Sequence, residues 1–269
     1  MAYGHLGQET VYAEQYNPGL LFPIARSQGR AEINGDMPHF YGADVWHGYE
    51  LSWLDEQGKP IVACGRFEIP CESPFLIESK SFKLYLNSFN QTSFKNMASV
   101  KLCLEQDLSL ACGAAVTVAL MPLASLAGQP WSLLEGECID AIPLTTNQYT
   151  YSDDSLKAGG PFVSEVLVSH LLKSNCPVTN QPDWASVQVS YTGTQMDRES
   201  LLRTIISFRL HQGFHEQCIE QLFYSISKQC QPETLAVLGC FTRRGGLDIN
   251  PYRSTVDEAL PEWGRVVRQ

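Results

Sequence analysis

The sequence predicts an α+β fold built from two similar halves. Alternating apolar residues, typical of half-buried strands, and apolar residues at helical spacing occur in both halves in the order strand, strand, helix, helix, strand. The halves also share residue pairs at one offset, since Ser81-Phe82 and Ser88-Phe89 have counterparts in Ser200-Leu201 and Ser207-Phe208, each 119 positions later. The common order and the common offset together predict an internal repeat.

Length and composition limit the class of protein. A chain of 269 residues with 44% hydrophobic residues suffices for one large domain or two modules. Its apolar runs are shorter than the roughly 20 residues that span a bilayer, and we expect no signal peptide. The net charge of −10 argues against direct binding of nucleic acid, because neutralising phosphates requires clustered Lys and Arg. Nine cysteines without a C-x-x-C pair are typical of reduced thiols, so we expect a cytoplasmic protein without membrane contact.

The first half is predicted to hold one module. Residues 1–45 are rich in turn formers and are expected to form an irregular leader that packs on a module of residues 46–125. Tyr49, Leu51 and Trp53 alternate with polar residues and mark the first strand of a hairpin. The predicted elements are a strand at 46–54, a turn at 55–58, a strand at 61–69, a helix ending near 89, a helix at 94–104 and a strand at 114–123.

The second half is predicted to hold the other module. Residues 126–160 carry Gly, Pro, Ser and Thr without clear periodicity and are predicted to be a linker to residues 161–269. The predicted elements are strands at 163–172 and 184–191, a helix at 198–209, a second helix and a strand at 235–241. The second helix carries the helical stripe Cys218, Leu222, Ile226 and Cys230.

One junction between a strand and a helix concentrates polar groups. In Ile77-Glu78-Ser79-Lys80-Ser81, a hydroxyl of Ser79 or Ser81 is expected to cap the helix. Glu78 would then lie at a helix N-terminus, which favours anions, although an ordinary capped helix start explains the pattern as well. The second half has Asp197-Arg198-Glu199 at this position and has therefore lost the motif.

A cysteine in the second half lies in a predicted loop. Two prolines and an Asn-Gln-Pro turn flank Cys176, so we expect it in a loop rather than a packed helix. A loop cysteine can be solvent-accessible, and an accessible thiol can act as a nucleophile if its thiolate is favoured. Asp183 follows beyond the turn, where the chain can double back toward the thiol. A structural thiol with a turn-forming Asp is the alternative.

A His-Glu pair is predicted to open a helix after a break at Gly213. A carboxylate beside a histidine, as in His215-Glu216, can hold the N–H edge of a purine-like ring. A hydrogen-bonded His on a capped helix is the alternative. The spacing of His211, His215, Glu216 and Cys218 fits no common zinc signature, so we predict no metal.

A cationic turn follows the last predicted strand. Arg243-Arg244-Gly245-Gly246 predicts a flexible turn whose N–H groups and cations suit a phosphate, although basic turns are common on protein surfaces. No G-x-G-x-x-G follows a strand, so any nucleotide would bind outside a Rossmann fold.

Four blocks in this order resemble the family of NADPH-dependent nitrile reductases that convert 7-cyano-7-deazaguanine to 7-aminomethyl-7-deazaguanine in the queuosine pathway of tRNA modification. The blocks are Ile77–Tyr85, Cys176-Pro177 with Gln181-Pro182-Asp183, Gly213-Phe214-His215-Glu216, and Arg244-Gly245-Gly246 with Pro251-Tyr252. The resemblance extends over nearly the whole chain and is to the long, two-module subgroup. It implies two tandem tunnelling-fold (T-fold) modules, each an antiparallel sheet of about four strands packed with two antiparallel helices, in a homodimer.

The resemblance also implies residue roles. Cys176 is similar to the nucleophile that adds to the nitrile carbon and forms a covalent thioimidate, and Asp183 to the acid that protonates the nitrile nitrogen. The residues that match the substrate-binding positions are Ile77, Glu78, Ser79, His215 and Glu216; those that match the NADPH-binding positions are Ser79, Lys80, Arg244 and Gly245. Reduction of a nitrile to an amine takes four electrons, so two NADPH are expected in succession.

Two other functions are compatible with parts of the pattern. The first is a pterin or purine hydrolase resembling GTP cyclohydrolase, which would need a metal constellation of His and Cys that the chain does not supply. The second is a purine-binding module without catalytic activity, in which replacement of Cys176 would change nothing.

Overall fold

The computed structural model describes residues 13, 15–33, 35, 38–126, 128 and 131–269. Over these residues the chain has the mixed α+β content that the sequence predicts. The helices are α1 (Arg26–Arg30), α2 (Ser79–Asn87), α3 (Met97–Cys112), α4 (Arg198–Ser207) and α5 (His215–Cys230). The strands are β1 (Pro23–Ala25), β2 (Tyr41–Leu54), β3 (Pro60–Pro70), β4 (Phe75–Ile77), β5 (Thr117–Pro122), β6 (Glu137–Cys138), β7 (Ala158–Asn175), β8 (Pro182–Met196), β9 (Thr234–Phe241) and β10 (Leu247–Ser254). None of the described helices is long and apolar enough to cross a membrane.

The predicted order strand, strand, helix, helix, strand occurs in both halves, as β2-β3-α2-α3-β5 and as β7-β8-α4-α5-β9. Four strands lie outside this order, namely β1, β4, β6 and β10. The predicted leader contains β1, α1 and the start of β2 among its described residues, where the sequence indicated irregular backbone. Residues 1–12, 14, 34, 36 and 37 of that leader, and residues 127, 129 and 130 of the predicted linker, lie outside the described part.

The chain divides into two compact units. Unit 1 comprises Met1–Gln28, Asp44–Gln129 and Arg243–Asp248, and unit 2 comprises Gly29–Ala43, Pro130–Thr242 and Ile249–Gln269. The chain therefore passes between the units more than once, and the cationic turn at 243–248 belongs to unit 1 by its contacts.

Unit 1 is built on the strand order β5-β3-β2, with β1 and β4 paired separately as an antiparallel two-stranded sheet. β3 and β5 are antiparallel, from Ala63 opposite Pro122 to Glu68 opposite Thr117. The ring of Phe82 on α2 packs edge-on against Trp46 and Phe67, with ring centroids 5.3 and 5.0 Å apart. Each of these three side chains is almost fully buried, and burial of one such residue contributes about 1.5–3 kcal/mol.

Unit 2 is built on the strand order β10-β9-β8-β7-β6. The antiparallel ladder of β7 and β8 runs from Ala158 opposite Met196 to Asn175 opposite Pro182, and β6 adds to β7 in parallel. α4 and α5 contribute to a buried cluster with these strands. Gly239 on β9 permits the close approach of α5, because a Cβ there would lie 2.5 Å from the Ile219 Cδ1 atom.

Carboxylates cap the corresponding helices α2 and α4. The Glu78 side chain accepts hydrogen bonds from the backbone N–H groups of Lys80 and Ser81, both at 2.7 Å, and the Asp197 side chain accepts from Ser200 N–H at 2.8 Å. The prediction that Ser79 or Ser81 caps α2 is therefore wrong. A carboxylate is the stronger acceptor and also neutralises the positive end of the helix dipole. The Ser81 hydroxyl instead donates to the Glu78 carbonyl at 2.6 Å.

A buried ion cluster links three parts of unit 2. The carboxylate of Glu220 on α5 accepts two hydrogen bonds of 2.8 Å from the Arg30 guanidinium and two more from Arg253, at 3.1 and 2.8 Å. Arg253 is fully buried and Glu220 is 2% exposed. Removal of the carboxylate would leave a desolvated cation without its anion, which is more costly than loss of an exposed pair.

We predict that Glu220→Gln lowers the free energy of unfolding by about 3–5 kcal/mol. The matched control is Glu199→Gln, which breaks the exposed pair of Glu199 with Arg203 on α4 and should cost less than about 1 kcal/mol. Urea unfolding followed by circular dichroism measures both changes. Equal losses in the two variants would contradict the role given to the buried cluster.

Candidate active site

The two predicted catalytic residues lie at the end of the β7–β8 hairpin, Cys176 in its turn and Asp183 on β8. β7 ends at Asn175 and β8 begins at Pro182, so Cys176 is the first residue of the turn. The Cys176 N–H donates to the Gln181 carbonyl at 2.9 Å, and the Asn180 N–H donates to the Cys176 carbonyl at 3.0 Å. Asp183 lies on β8 directly opposite Ser174 on β7. The chain thus doubles back as the sequence indicated.

The Cys176 thiol is less accessible than the sequence indicated. Although Cys176 lies in a turn, the residue is only 4% exposed. The loop position of Cys176 is as predicted, but the solvent accessibility that the sequence allowed for is not found, since the residue is buried. A thiol in this setting meets little bulk water, and a reagent that reaches it must enter a desolvated environment.

Asp183 forms a buried pair with a histidine of α5. The Asp183 Oδ1 atom lies 3.3 Å from the His215 Nε2 atom. Asp183 is 4% exposed and His215 is 8% exposed, and the imidazole packs against the Phe241 ring with centroids 4.2 Å apart. This pair can hold or pass a proton at a place where water is scarce.

His215 and Glu216 are the first two residues of α5. α5 begins at His215 as predicted, and the Gln217 side chain accepts a hydrogen bond of 3.1 Å from the Phe214 N–H just before the helix. Glu216, the second residue of the helix, is 3% exposed. A helix N-terminus favours a carboxylate in this position.

Ser174 and Cys218 are neighbours of Asp183 that the sequence did not indicate as site residues. Burial raises the pKa of the Cys218 thiol to about 12, and the Asp183 and Glu216 carboxylates add to the rise, while the Ser174 hydroxyl opposes it. Cys218 is therefore a protonated thiol at neutral pH. The helical spacing that includes Cys218 carried no signal that its thiol interacts with Asp183.

The predicted residues of unit 1 lie at the junction of β4 and α2. Ile77 and Glu78 are each 1% exposed, while Ser79 and Lys80 are partly exposed in the first turn of the helix. Both oxygens of the Glu78 carboxylate already accept a backbone N–H group.

The cationic turn is a tight reversal in unit 1. The Arg244 N–H donates to the Leu247 carbonyl at 2.9 Å, and the Leu247 N–H donates back at 3.1 Å. Gly245 and Gly246 have φ of 58° and 78°, a conformation that side chains rarely adopt. Lys83 of α2 lies beside this turn, since a Cβ on Gly245 would be 3.0 Å from the lysine Cδ atom.

A hydrogen-bonded triad that the sequence did not reveal supports this turn. Buried Asp248 accepts from the Tyr49 hydroxyl at 2.5 Å, and its other oxygen lies 2.8 Å from the His47 Nδ1 atom. The guanidinium of Arg243 lies over the Tyr49 ring, 5.0 Å from its centroid. These contacts join residues almost 200 positions apart in sequence, so no local pattern could have predicted them.

One group of potential metal ligands occurs among the described residues. One side-chain atom each of Cys138, Asp140 and His170 lie within 4.8 Å of one another. Hydrogen bonds account for this cluster, because the Asp140 carboxylate accepts from the Ser169 hydroxyl at 2.6 Å and from the His170 N–H at 2.9 Å. The His170 Nδ1 atom lies 2.8 Å from the Ser186 hydroxyl. None of the predicted site residues belongs to the cluster.

A cavity of about 350 Å³ in unit 2 also lies apart from the predicted residues. Its lining is mostly polar and includes Tyr151, His211, Gln221 and Lys228. Burial lowers the pKa of His211, which keeps its ring neutral near pH 7. The cavity therefore offers hydrogen-bonding groups but none of the candidate catalytic side chains.

The comparisons with known proteins define the class of this chain as nitrile reductases. Residues 12–120 match the family described as "Nitrile reductase, 7-cyano-7-deazaguanine-reductase N-term", and residues 182–259 match the family described as "QueF-like protein". The chain is therefore an oxidoreductase, as the four sequence blocks indicated.

Three similar proteins indicate which family within the class of nitrile reductases the chain belongs to. "NADPH-dependent 7-cyano-7-deazaguanine reductase" of Saccharophagus degradans is 52% identical over 98% of each chain. The proteins of the same name from Chromohalobacter salexigens and Burkholderia pseudomallei are 51% and 50% identical over 98% of this chain, and over 96% and 97% of their own length. This chain belongs to the family of NADPH-dependent 7-cyano-7-deazaguanine reductases, which confirms the resemblance found in the sequence.

A solved structure titled "Crystal structure of the archaeosine synthase QueF-Like in the apo form" is more distantly similar. It aligns with 38% of this chain and with all of its own chain, at 19% identity and a TM-score of 0.32. This similarity is too low to bear on the fold.

We predict that iodoacetamide at pH 8 alkylates Cys138 and spares Cys218. Cys138 is exposed, whereas Cys218 is 1% exposed and its pKa of about 12 leaves almost no thiolate at pH 8. Mass spectrometry of peptides measures the label at each position, and labelling in urea, where both thiols should react, is the control. Rapid labelling of Cys218 in the folded protein would contradict the burial described here.

Proposed function

We propose that this chain reduces the nitrile group of 7-cyano-7-deazaguanine to an aminomethyl group, in the queuosine pathway. The balanced reaction consumes one nitrile, two NADPH and two protons and gives one primary amine and two NADP⁺. The observation that carries the proposal is that Cys176 begins the turn from β7 to β8, while Asp183 on β8 forms a buried pair with His215, 3.3 Å apart. The identity of about 50% to reductases of this name supports the choice of substrate and cofactor.

Cys176 is the proposed nucleophile. Its sulfur adds to the nitrile carbon, so a C–S bond forms, one of the nitrile π bonds breaks and the thiol proton leaves the sulfur. Asp183 takes that proton and delivers it to the nitrile nitrogen, which gives a neutral thioimidate. The first hydride converts the thioimidate carbon to a tetrahedral centre. Loss of the cysteine sulfur then gives the imine that the second hydride reduces.

His215 and the burial of the site support this chemistry. His215 contacts Asp183 and packs against Phe241, so it holds the carboxyl group in one orientation. Cys176, Asp183 and Glu216 are each less than 5% exposed. Exclusion of water matters because the intermediate imine hydrolyses readily to an aldehyde.

The proposed substrate contacts are charge-assisted. Glu78 and Glu216 accept N–H groups of the deazaguanine ring, and Ile77 supplies an apolar surface. Ser79 and His215 are the other residues proposed to contact the substrate. The support is that both carboxylates lie at helix N-termini, where the helix dipole favours a negative charge.

The residues proposed for NADPH are Ser79, Lys80, Arg244 and Gly245. NADPH supplies the hydride when bound. The chain fits an anionic cofactor there, because Arg244 and Gly245 lie in a turn with positive φ angles and Lys80 lies in the first turn of α2. Lys83 adds a further cation beside Gly245.

The fold and assembly belong to the same proposal. We propose that the chain forms two tandem T-fold modules and assembles into a cytoplasmic homodimer that binds no nucleic acid directly. The support is the shared order of strands and helices in the two halves, the absence of disulfides among the nine cysteines, and the net charge of −10.

We predict a covalent adduct on Cys176 when the protein is mixed with 7-cyano-7-deazaguanine without NADPH. Intact mass should rise by the mass of the nitrile, and peptide mapping should place the addition on Cys176. Cys176→Ala should form no adduct and should oxidise NADPH only at the background rate. Cys138→Ala is the matched control, since Cys138 is exposed and outside the proposed site. Wild-type protein without an adduct would overturn the mechanism.

We predict that Glu78→Ala and Asp197→Ala destabilise the protein similarly but differ in substrate binding. Each change removes a carboxylate cap and should cost about 0.5–2 kcal/mol of stability. Only loss of Glu78 should weaken binding of the nitrile, by roughly ten- to a hundredfold in Kd, because a hydrogen bond to a charged group contributes about 1.5–3 kcal/mol.

Calorimetric titration on a Cys176→Ala background measures this binding without covalent chemistry. An equal Kd for the two cap variants would refute the assignment of Glu78 to the substrate.

A further inference from the structure

The first strap, residues 16–22, is tied to α2 at both ends of that helix. It lies within the segment that the sequence indicated as an irregular leader. The Tyr16 ring packs edge-on against Phe89, just after α2, with ring centroids 5.2 Å apart. The Asn17 N–H donates to the Ser88 hydroxyl at 3.1 Å. The C-terminal end of α2 therefore anchors the start of the strap.

The last residue of the first strap contacts the N-terminal end of α2. The Phe22 N–H donates to the Ser81 hydroxyl at 3.0 Å, and the Phe22 carbonyl accepts from the Glu78 N–H at 2.9 Å. The Ser81 hydroxyl in turn donates to the Glu78 carbonyl at 2.6 Å. The strap therefore holds the backbone of Glu78 on both sides, directly through Phe22 and indirectly through Ser81.

The second strap, residues 151–157, repeats this arrangement in the segment that the sequence indicated as a linker. The Tyr151 ring packs on Phe208, just after α4, with centroids 4.7 Å apart. The Ser152 N–H donates to the Ser207 hydroxyl at 3.1 Å. The start of this strap is thus anchored at the C-terminal end of α4.

Lys157 lies five residues after Ser152 and makes the contacts that Phe22 makes in the first strap. Its N–H donates to the Ser200 hydroxyl at 3.4 Å, and its carbonyl accepts from the Asp197 N–H at 3.0 Å. The Ser200 hydroxyl donates to the Asp197 carbonyl at 2.7 Å. The internal repeat therefore includes a strap before each module.

We propose that the first strap positions Glu78 for the substrate, with Phe22 and Ser81 as positioning residues. The inference rests on the proposed function, in which Glu78 holds the deazaguanine ring. The two N–H groups of the cap orient the Glu78 carboxylate, and the strap holds its backbone. The second strap holds Asp197 in the same way. No substrate contact is proposed for Asp197, so the second strap stabilises the fold alone.

The hydroxyl of Ser81 joins the strap to Glu78. Ser81 is fully buried, so water cannot replace its hydroxyl. Without that hydroxyl the Phe22 N–H loses its acceptor and the Glu78 carbonyl loses one of its donors. Because an unsatisfied buried polar group is costly, the strap and the Glu78 backbone should shift. A small displacement of a substrate-positioning group is sufficient to weaken binding.

The test compares Ser81→Ala with its counterpart Ser200→Ala. Both variants should lower the melting temperature by similar amounts, because each separates one strap from its helix. Only Ser81→Ala should weaken binding of 7-cyano-7-deazaguanine, by about three- to tenfold in Kd, which stays within the loss expected for Glu78→Ala. Calorimetric titration on the Cys176→Ala background, well below both melting temperatures, measures Kd.

A double-mutant cycle separates positioning of Glu78 from a general effect on the protein. On a Glu78→Ala background, Ser81→Ala should change Kd by less than about twofold, because two residues that act through one group are not additive. An effect of equal size with and without Glu78 overturns the inference. A Kd for Ser81→Ala equal to that for Ser200→Ala does so as well.

Tyr16→Ala and Tyr151→Ala test the inference without a change in either helix, and they decide it if Ser81→Ala fails to fold. Each variant removes the aromatic anchor of one strap. Tyr16→Ala should raise Kd by about threefold or more, while Tyr151→Ala should keep the wild-type Kd. Equal Kd values in this pair overturn the inference.

Failure of the inference and failure of the proposed function give different results. Weak binding in Glu78→Ala with unchanged binding in Ser81→Ala overturns the role of the strap alone. Binding as tight as wild type in Glu78→Ala overturns both the proposed substrate contact and the inference. A wild-type protein that forms no Cys176 adduct overturns the proposed function itself.

Discussion

The hydrogen-bonded ladder of β7 and β8 is the constraint on which the candidate site depends. Its register places Asp183 opposite Ser174 and makes Cys176 the first residue of the connecting turn. Because side chains alternate along a strand, a slip by one residue would move Asp183 to the other face of the sheet. The long pairing, from Ala158 to Asn175, makes such a slip costly, so the sheet itself holds the proposed proton carrier in place.

The helix N-termini show how one local structure serves two purposes. Glu78 and Asp197 occupy corresponding positions and cap α2 and α4 in the same way, each followed by a serine whose hydroxyl bonds back to the cap carbonyl. Capping therefore explains why both halves keep an acid here. The adjoining residues differ, with Ser79-Lys80 in one half and Arg198-Glu199 in the other. The second half therefore keeps the helix start although it lacks the motif.

Much of the local structure was predictable because it follows from periodicity. Alternation identified β2, β3, β7, β8 and β9, helical spacing identified α2 to α5, and Gly213 correctly indicated the break before α5. The cap of α2 was predicted wrongly, since sequence statistics favour serine and cannot show that the Glu78 side chain curls back onto two N–H groups. β10 was missed because its residues follow a glycine turn that dominated the local pattern.

The sequence by itself determined the α+β class, the order of elements and the family, because motifs and apolar spacing are properties of neighbouring residues. It also indicated Cys176, Asp183, His215 and Glu216 as candidates. Only the tertiary structure decided that Cys176 is buried, that Asp183 pairs with His215, and that Ser174 and Cys218 adjoin them. Burial and contacts between residues distant in sequence arise when strands and helices pack together. A short stretch of sequence does not determine that packing.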